Sequence, residues 1–396
     1  MPDLPRADLA VFLVAGEESG DQLGASLMTA LRRATNDRVR FAGLGGHRME
    51  ALGLKSIFPI ADISVMGLTA VFAALPRILR RIRETVEAAA AAKPDVLVII
   101  DSPDFTQRVA RRLHRLAPDV VIANYVSPSV WAWRSGRARA MSAYIDRVLA
   151  ILPFEPDVHR RLRGPDCVYV GHPLLEKVAQ LRPHTGERAE FANAPRLTML
   201  ALPGSRRSEV SKLLPVFGDA IARAAKTADR PVDVLLPAVP HLADAITSGV
   251  AHWPLRPTII AGEEAKFAAF RRAHVALAAS GTATLELALA GVPQIVAYPL
   301  DVLTRRLRWL VKVPSIVLPN LILGENAIPE FIDRDANPDT LARALSPLLR
   351  ASPERSRQEQ AFPKLDRLMT VPGGSPSERA AAAILEVVQA RRARGT

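Results

Sequence analysis

Acids and small hydroxyl residues crowd two short segments of this chain, Gly16-Glu17-Glu18-Ser19-Gly20-Asp21 and Asp101-Ser102-Pro103-Asp104. Each follows directly on an apolar, β-branched run, 9–14 and 96–100. A carboxylate at the end of a buried strand is well placed to accept the proton of an attacking hydroxyl, so Asp101 and Asp104 are candidate general bases, with Glu17 and Asp21 beside them. Gly16 and Gly20 let backbone approach a ligand, and Glu17, Ser19 and Asp21 can bind its hydroxyls. The structural alternative is capping: Asp21 stands near one helix start, and Asp104 near the helix expected from Phe105. The spacing is not Asp-x-Asp and the eight histidines show no metal-ligand spacing, so no metal site is expected.

A third segment, Tyr125-Val126-Ser127-Pro128-Ser129-Val130-Trp131-Ala132-Trp133-Arg134, places two of the four tryptophans within three residues. Ser127 and Trp133 beside an arginine suit a sugar or phosphate pocket; the alternative is a tryptophan pair sealing a core. In the second half, Pro203-Gly204-Ser205-Arg206-Arg207-Ser208-Glu209 and Ala279-Ser280-Gly281-Thr282-Ala283-Thr284-Leu285-Glu286 repeat one pattern. Backbone amides at Ser280, Gly281 and Thr282, with Gly204, Ser205 and the Arg206 guanidinium, can hold a diphosphate, and Glu286 can take ribose hydroxyls. The chain has no Gly-x-Gly-x-x-Gly after its first strand and no phosphate-binding Gly-x-x-x-x-Gly-Lys, which disfavours a nicotinamide dinucleotide site and a P-loop.

Positioning these loops requires strands that end together. Apolar runs at 9–14, 39–42, 96–100, 120–125, 148–152 and 168–170 alternate with helical patterns, and a second series follows at 197–202, 232–236, 258–260, 274–278 and 294–297. Strands apolar throughout and separated by helices predict parallel sheets covered on both faces. The expected architecture is α/β: two doubly wound, Rossmann-like domains facing a cleft, an N-terminal one at 1–172 and a C-terminal one at 196–374, joined by a linker at 173–195. Ser375-Pro376-Ser377-Glu378 predicts an N-capped helix within 375–396 that packs back on the first domain. The composition, with 49% hydrophobic and 23% charged residues in 396, fits a soluble globular protein and excludes a disordered one. One cysteine, Cys167, leaves no internal disulfide, which points to the cytoplasm.

Fifty-two basic against forty acidic residues give a net charge of +12, which draws the chain toward an anionic partner. Two stretches combine apolar and basic side chains: 65–75 continuing into Arg77, Arg80, Arg81 and Arg83, and 303–312 with Arg305, Arg306, Arg308 and Lys312. Neither reaches the ~20 apolar residues of a membrane span, so both fit peripheral contact with an anionic lipid surface, or an ordinary core face with a solvated one.

Taken in order, the segment 15–21, Asp101 to Phe105, Tyr125 to Trp133, Leu152-Pro153-Phe154-Glu155, Gly171-His172-Pro173, Leu202 to Arg206, Ser280 to Ala283 and Leu318-Pro319-Asn320 strongly resemble the lipid-A-disaccharide synthase family. The resemblance implies a GT-B glycosyltransferase of lipid A biosynthesis in Gram-negative bacteria. It would join UDP-2,3-diacylglucosamine to 2,3-diacylglucosamine 1-phosphate (lipid X) with inversion, releasing UDP, at the cytoplasmic face of the inner membrane and without metal or cofactor. It puts the acceptor side at Glu17, Ser19, Asp21 and Asp104, with Asp104 as base, and donor contacts at Arg206, Ser280, Gly281, Thr282, Glu286 and Asn320. Glu325 follows Gly324 where many relatives have arginine. Two other classes remain open to the residues alone: a GT-B UDP-sugar epimerase, which needs no lipid, and a basic nucleic-acid-binding protein, which the missing aromatic ladder disfavours.

Overall fold

The computed structural model describes residues 9–63, 68–300 and 313–394. Val65, Met66 and Gly67 of the first cationic stretch, and all of 303–312 with Arg305, Arg306, Arg308 and Lys312, lie outside the described residues. The chain divides into two units: 1–175 with 371–396, and 176–370.

In the N-terminal unit six parallel strands, β1 (Leu9–Ala15), β2 (Val39–Leu44), β3 (Val96–Ile100), β4 (Val121–Tyr125), β5 (Arg147–Ala150) and β6 (Asp166–Tyr169), lie in the order β2-β1-β3-β4-β5-β6. The alternation of side chains explains why β1 and β3 have no polar face. Leu9, Val11 and Leu13 with Val96, Val98 and Ile100 pack on one side against Leu27, Met28 and Leu31 of helix Glu18–Thr35 and Ile384 and Val388 of helix Pro376–Arg394. Phe12, Val14, Leu97 and Ile99 pack on the other against Ile82, Val86, Val109 and Leu113 of helices Leu68–Ala92 and Pro103–Leu116.

The last helix starts as its sequence requires. Ser375 Oγ accepts the Glu378 N–H at 3.3 Å, and the Glu378 carboxylate accepts the Ser375 N–H at 2.9 Å. Its ion pairs, such as Arg392 with Asp95 and Arg147 with Glu386, have at least one largely exposed partner and each contributes at most about 1 kcal/mol. Burial of Ile384 and Val388 contributes about 1.5–3 kcal/mol each, so apolar packing holds the helix.

The second sheet, with β7 (Leu197–Leu202), β8 (Val232–Ala238), β9 (Thr258–Ala261), β10 (Val275–Ala279), β11 (Gln294–Tyr298) and β12 (Glu330–Ile332), has the order β12-β11-β10-β7-β8-β9. No apolar run announces the three-residue edge strand β12. Of the expected linker 173–195, residues 176–195 are grouped with the C-terminal unit and strapped onto it. Arg188 donates to the carbonyls of Phe270, Arg271, Ala290 and Gly291 at 2.8–3.1 Å, closing the ends of two helices. Burial holds its guanidinium down to about 10.

Candidate functional site

Each sheet has one place where the strand order reverses beside its first strand, and there consecutive loops diverge and leave room for a ligand. In the N-terminal unit that place lies between β1 and β3. Ala15 is level with Ile100, so the loops beginning at Gly16 and Asp101 leave the sheet side by side. Ser19 Oγ donates to Asp101 Oδ2 at 3.2 Å and links them. Gly16 is required by this closeness, since a Cβ there would lie 2.5 Å from the Ser102 side chain.

The turn after β3 is strained. Asp101 and Ser102 both take left-handed backbone, with φ of 53° and 44°, at about 1–3 kcal/mol each. Local bonds offset this cost: Asp101 Oδ1 accepts the Ser102 N–H at 2.8 Å, and the Asp101 carbonyl accepts Thr106 Oγ1 at 2.7 Å. Ser102 Oγ is buried without a partner among the described residues. The turn aims Asp104 outward. Its carboxylate makes no capping bond, is 73% exposed, and accepts from Arg137 at 2.8 Å with Arg134 at 3.8 Å. The Arg134 guanidinium also lies 4.2 Å from the centre of the exposed Trp133 ring.

Asp21 has a different setting. It is buried, and its two oxygens accept three backbone N–H groups, of Gly46 at 2.7 Å, Arg48 at 2.9 Å and Met49 at 3.1 Å. Both oxygens are therefore committed to the start of helix His47–Ala51, whereas Glu17 is exposed and Gly20 is packed against β3. Ser127 is likewise turned inward, with Oγ 2.8 Å from His159 Nε2.

In the C-terminal unit the reversal lies between β7 and β10, where Leu202 is level with Ala278. A cavity of about 620 Å³ opens there, lined by Gly204, Ser205, Arg206, Ser280, Gly281, Thr282 and Glu286 among others. Pro237 to Pro240 at the end of β8 and Gly262 after β9 complete its wall. Gly204 has φ of 112°, and a Cβ there would lie 2.5 Å from Glu209 Oε2. That carboxylate closes the loop, accepting the N–H groups of Ser205 at 3.2 Å and Arg206 at 3.3 Å and the Arg206 guanidinium at 2.9 Å. Ser280 Oγ donates to the Ile316 carbonyl.

Asn320 does not line this cavity. It is buried, and its amide bonds to Ser315 and to both backbone groups of Ile328. The structure thus gives it the work of tying 315–328 together.

Three residues to which the sequence reading gave no role belong here. Lys266, on helix Glu263–Arg272, lines the cavity and is hydrogen-bonded to the Glu286 carboxylate. Arg137 holds Asp104, and Glu155 carries the Trp131 indole N–H. None sits in a glycine- or acid-rich string, and each acts across 20 or more residues, so only the tertiary structure reveals them.

Asp21 provides a direct check on this division. Replacing it by Asn leaves one oxygen for three donors, and hydrogen bonds to a charged group are worth about 1.5–3 kcal/mol each. Thermal unfolding should show Asp21→Asn destabilised by about 2 kcal/mol or more and Glu17→Gln unchanged; equal melting of the two would contradict the anchoring role.

The family model described as lipid-A-disaccharide synthetase matches residues 11–381. The lipid-A-disaccharide synthases of Nitrobacter hamburgensis and Nitrobacter winogradskyi are 54% and 53% identical, over 96% of both chains in the first case and 100% of both in the second. Among solved structures, MurG from Acinetobacter baumannii has a TM-score of 0.57 at 15% identity, covering 96% of this chain and 99% of its own. UDP-GlcNAc 2-epimerase from Methanocaldococcus jannaschii gives the same TM-score and identity, with the same coverage. These two establish the shared GT-B fold and do not separate a transferase from an epimerase. The family match and the identity over the whole chain do separate them: this chain belongs to the lipid-A-disaccharide synthase family, the glycosyltransferases of lipid A biosynthesis.

Proposed function

We propose that the C-terminal unit holds UDP-2,3-diacylglucosamine and the N-terminal unit holds lipid X, and that sugar transfer is one inverting displacement. The observation that carries this reading is the cavity at the second reversal point, where hydroxyls, glycine backbone and a guanidinium lie along the walls and a paired carboxylate stands among them. A nucleoside diphosphate matches that order. Glu286 accepts the ribose hydroxyls, with Lys266 keeping its carboxylate aimed, while Arg206 and the Ser280–Thr282 amides take the diphosphate. Pro237–Pro240 and Gly262 offer a flat, mostly apolar wall for the base.

At the other site the acceptor 6-hydroxyl attacks C1 of the donor sugar. The new C1–O6 bond forms as the bond from C1 to the UDP oxygen breaks, the electron pair leaves with UDP, and the hydroxyl proton passes to Asp104. Attack from the face opposite UDP inverts the anomeric centre and gives the β-1,6 disaccharide 1-phosphate. Asp104 is the group suited to this task because its carboxylate is exposed and oriented by two guanidinium groups. Asp21 has no oxygen to spare, and Asp101 holds its own turn and Ser19.

The acceptor and donor are lipids, and the surface offers a place to meet them. Helix Leu68–Ala92 exposes Leu75 and Leu79 one turn apart, with exposed Arg77, Arg80 and Arg83 around them. Among the described residues no helix is long and apolar enough to cross a membrane. The reading is therefore peripheral attachment to the anionic cytoplasmic face of the inner membrane, through leucines and arginines together.

Three measurements test these assignments. Asp104→Asn keeps the side chain's shape and removes the basicity, so kcat should fall by about 10²–10⁴ with UDP affinity unchanged; a folded variant that keeps its kcat removes Asp104 as base. Calorimetric titration should show UDP binding weakened by about tenfold or more in Glu286→Gln and in Arg206→Ala, the worth of one charged hydrogen bond. Equal affinity in both would displace the nucleotide from this cavity. Flotation at low salt should carry the protein up with anionic liposomes, and Leu75→Ser with Leu79→Ser should reduce the bound fraction several-fold; wild-type protein that ignores such liposomes would refute lipid attachment.

A further inference from the structure

The segment that presents Arg134 and Arg137 to Asp104 is poorly secured by its own backbone. It runs from the end of β4 to helix Gly136–Met141, and two of its residues, Val126 and Arg134, take left-handed backbone with φ of 71° and 51°. Such conformations cost about 1–3 kcal/mol each and persist only where the surroundings over-determine them. Valine, branched at Cβ, is especially unsuited to them.

The surroundings here are two side chains one turn apart on helix Glu155–Arg161. Glu155 and His159 are 2% and 1% exposed, less than most of the apolar residues around them. One Glu155 oxygen accepts the Trp131 indole N–H at 3.2 Å and the other the Leu152 backbone N–H at 3.0 Å. His159 Nε2 meets Ser127 Oγ at 2.8 Å, and Ser127 Oγ lies 3.0 Å from the Pro128 carbonyl it donates to. Burial raises the Glu155 carboxyl to about 8 and lowers His159. Between the two bonds, Val130 packs with Ala138 and Val158, and the Trp131 ring stands edge-on to Phe154 at 5.4 Å.

Two buried polar groups on a seven-residue helix are costly to maintain unless they do something that apolar residues would not. Their common target is the segment 127–131, gripped at both ends. Beyond it the chain turns tightly, with the Trp133 N–H on the Ser129 carbonyl and the Arg137 N–H on the Arg134 carbonyl, and so delivers both guanidiniums to Asp104. An exposed ion pair with Asp104 cannot by itself fix that geometry, being worth about 1 kcal/mol or less.

We propose that Glu155 and His159 are positioning residues for sugar transfer. Through Trp131 and Ser127 they fix the segment carrying Arg134 and Arg137, and so set the place of the Asp104 carboxylate relative to the acceptor hydroxyl. This rests on the reading of Asp104 as the base. A misplacement near 1 Å at a reacting group costs on the order of 10²-fold in rate, so loosening one of two grips should cost about tenfold.

Ser127→Ala and Trp131→Phe each remove one hydrogen bond while keeping most of the packing. Steady-state kinetics should show kcat about tenfold lower in each, with the donor KM and UDP affinity unchanged, because the nucleotide is held by the other unit. Made in an Asp104→Asn background, the same substitutions should change the residual single-turnover rate less than twofold, since there is no base left to position. A kcat within twofold of wild type in both single variants, with Asp104→Asn severely impaired, overturns this proposal alone. An undiminished tenfold loss in the Asp104→Asn background also overturns it, by showing action through another group. Full activity in Asp104→Asn itself overturns the base assignment first and this inference with it. Should one variant fail to fold, the other carries the test.

Discussion

Both candidate sites depend on a topological constraint: β1 and β7 each have their own sequence successor on one side and a later strand of the sheet, β3 or β10, on the other, so chain leaving adjacent strands must diverge. Parallel strands put all those exits on one edge, where backbone amides and helix starts are free to meet a ligand. The first-strand loops, 16–21 and 203–209, are also tightly packed. Gly16 fits against Ser102 and Gly204 against Glu209, and neither tolerates a Cβ without displacing its neighbour.

Carboxylates divide the work within those loops. Asp21 and Glu209 gather backbone N–H groups and shape the loops, at depths where an unpaired charge would be costly. Asp104 and Glu286 are instead paired with cations, the first at the surface and the second on the cavity wall. The basic excess is divided in the same way. Arg188, Arg230 and Arg355 donate to carbonyl oxygens within the C-terminal unit, so part of the +12 charge works as internal hydrogen-bond donors and is not presented to an anionic partner.

The sheets were legible in the sequence because strands buried on both faces must be apolar throughout, and the loops because glycines, acids and hydroxyls follow those strands directly. Strand ends moved by at most two residues: the run 148–152 became Arg147–Ala150, since pairing ends where Ala150 meets Tyr169 and Pro153 cannot extend it. The use of a polar residue was much less legible. Nothing near Asp21 tells whether its carboxylate faces a ligand or the amides of Gly46, Arg48 and Met49, some 25 residues on. Asn320 lies in a motif yet serves Ile328, and Ser127 and His159, 32 residues apart, share no local pattern. Lys266 is one basic residue on an ordinary surface helix until Glu286 is placed beside it.

We propose a division of labour, with nucleotide on the C-terminal unit and acceptor chemistry on the N-terminal one. Hydrogen–deuterium exchange of the whole chain with and without UDP tests it directly. Slowed exchange is expected in 203–209, 262–266 and 279–286 and none attributable to UDP in 16–21 or 101–104. Protection confined to 16–21 and 101–104, with the C-terminal loops unchanged, would contradict it.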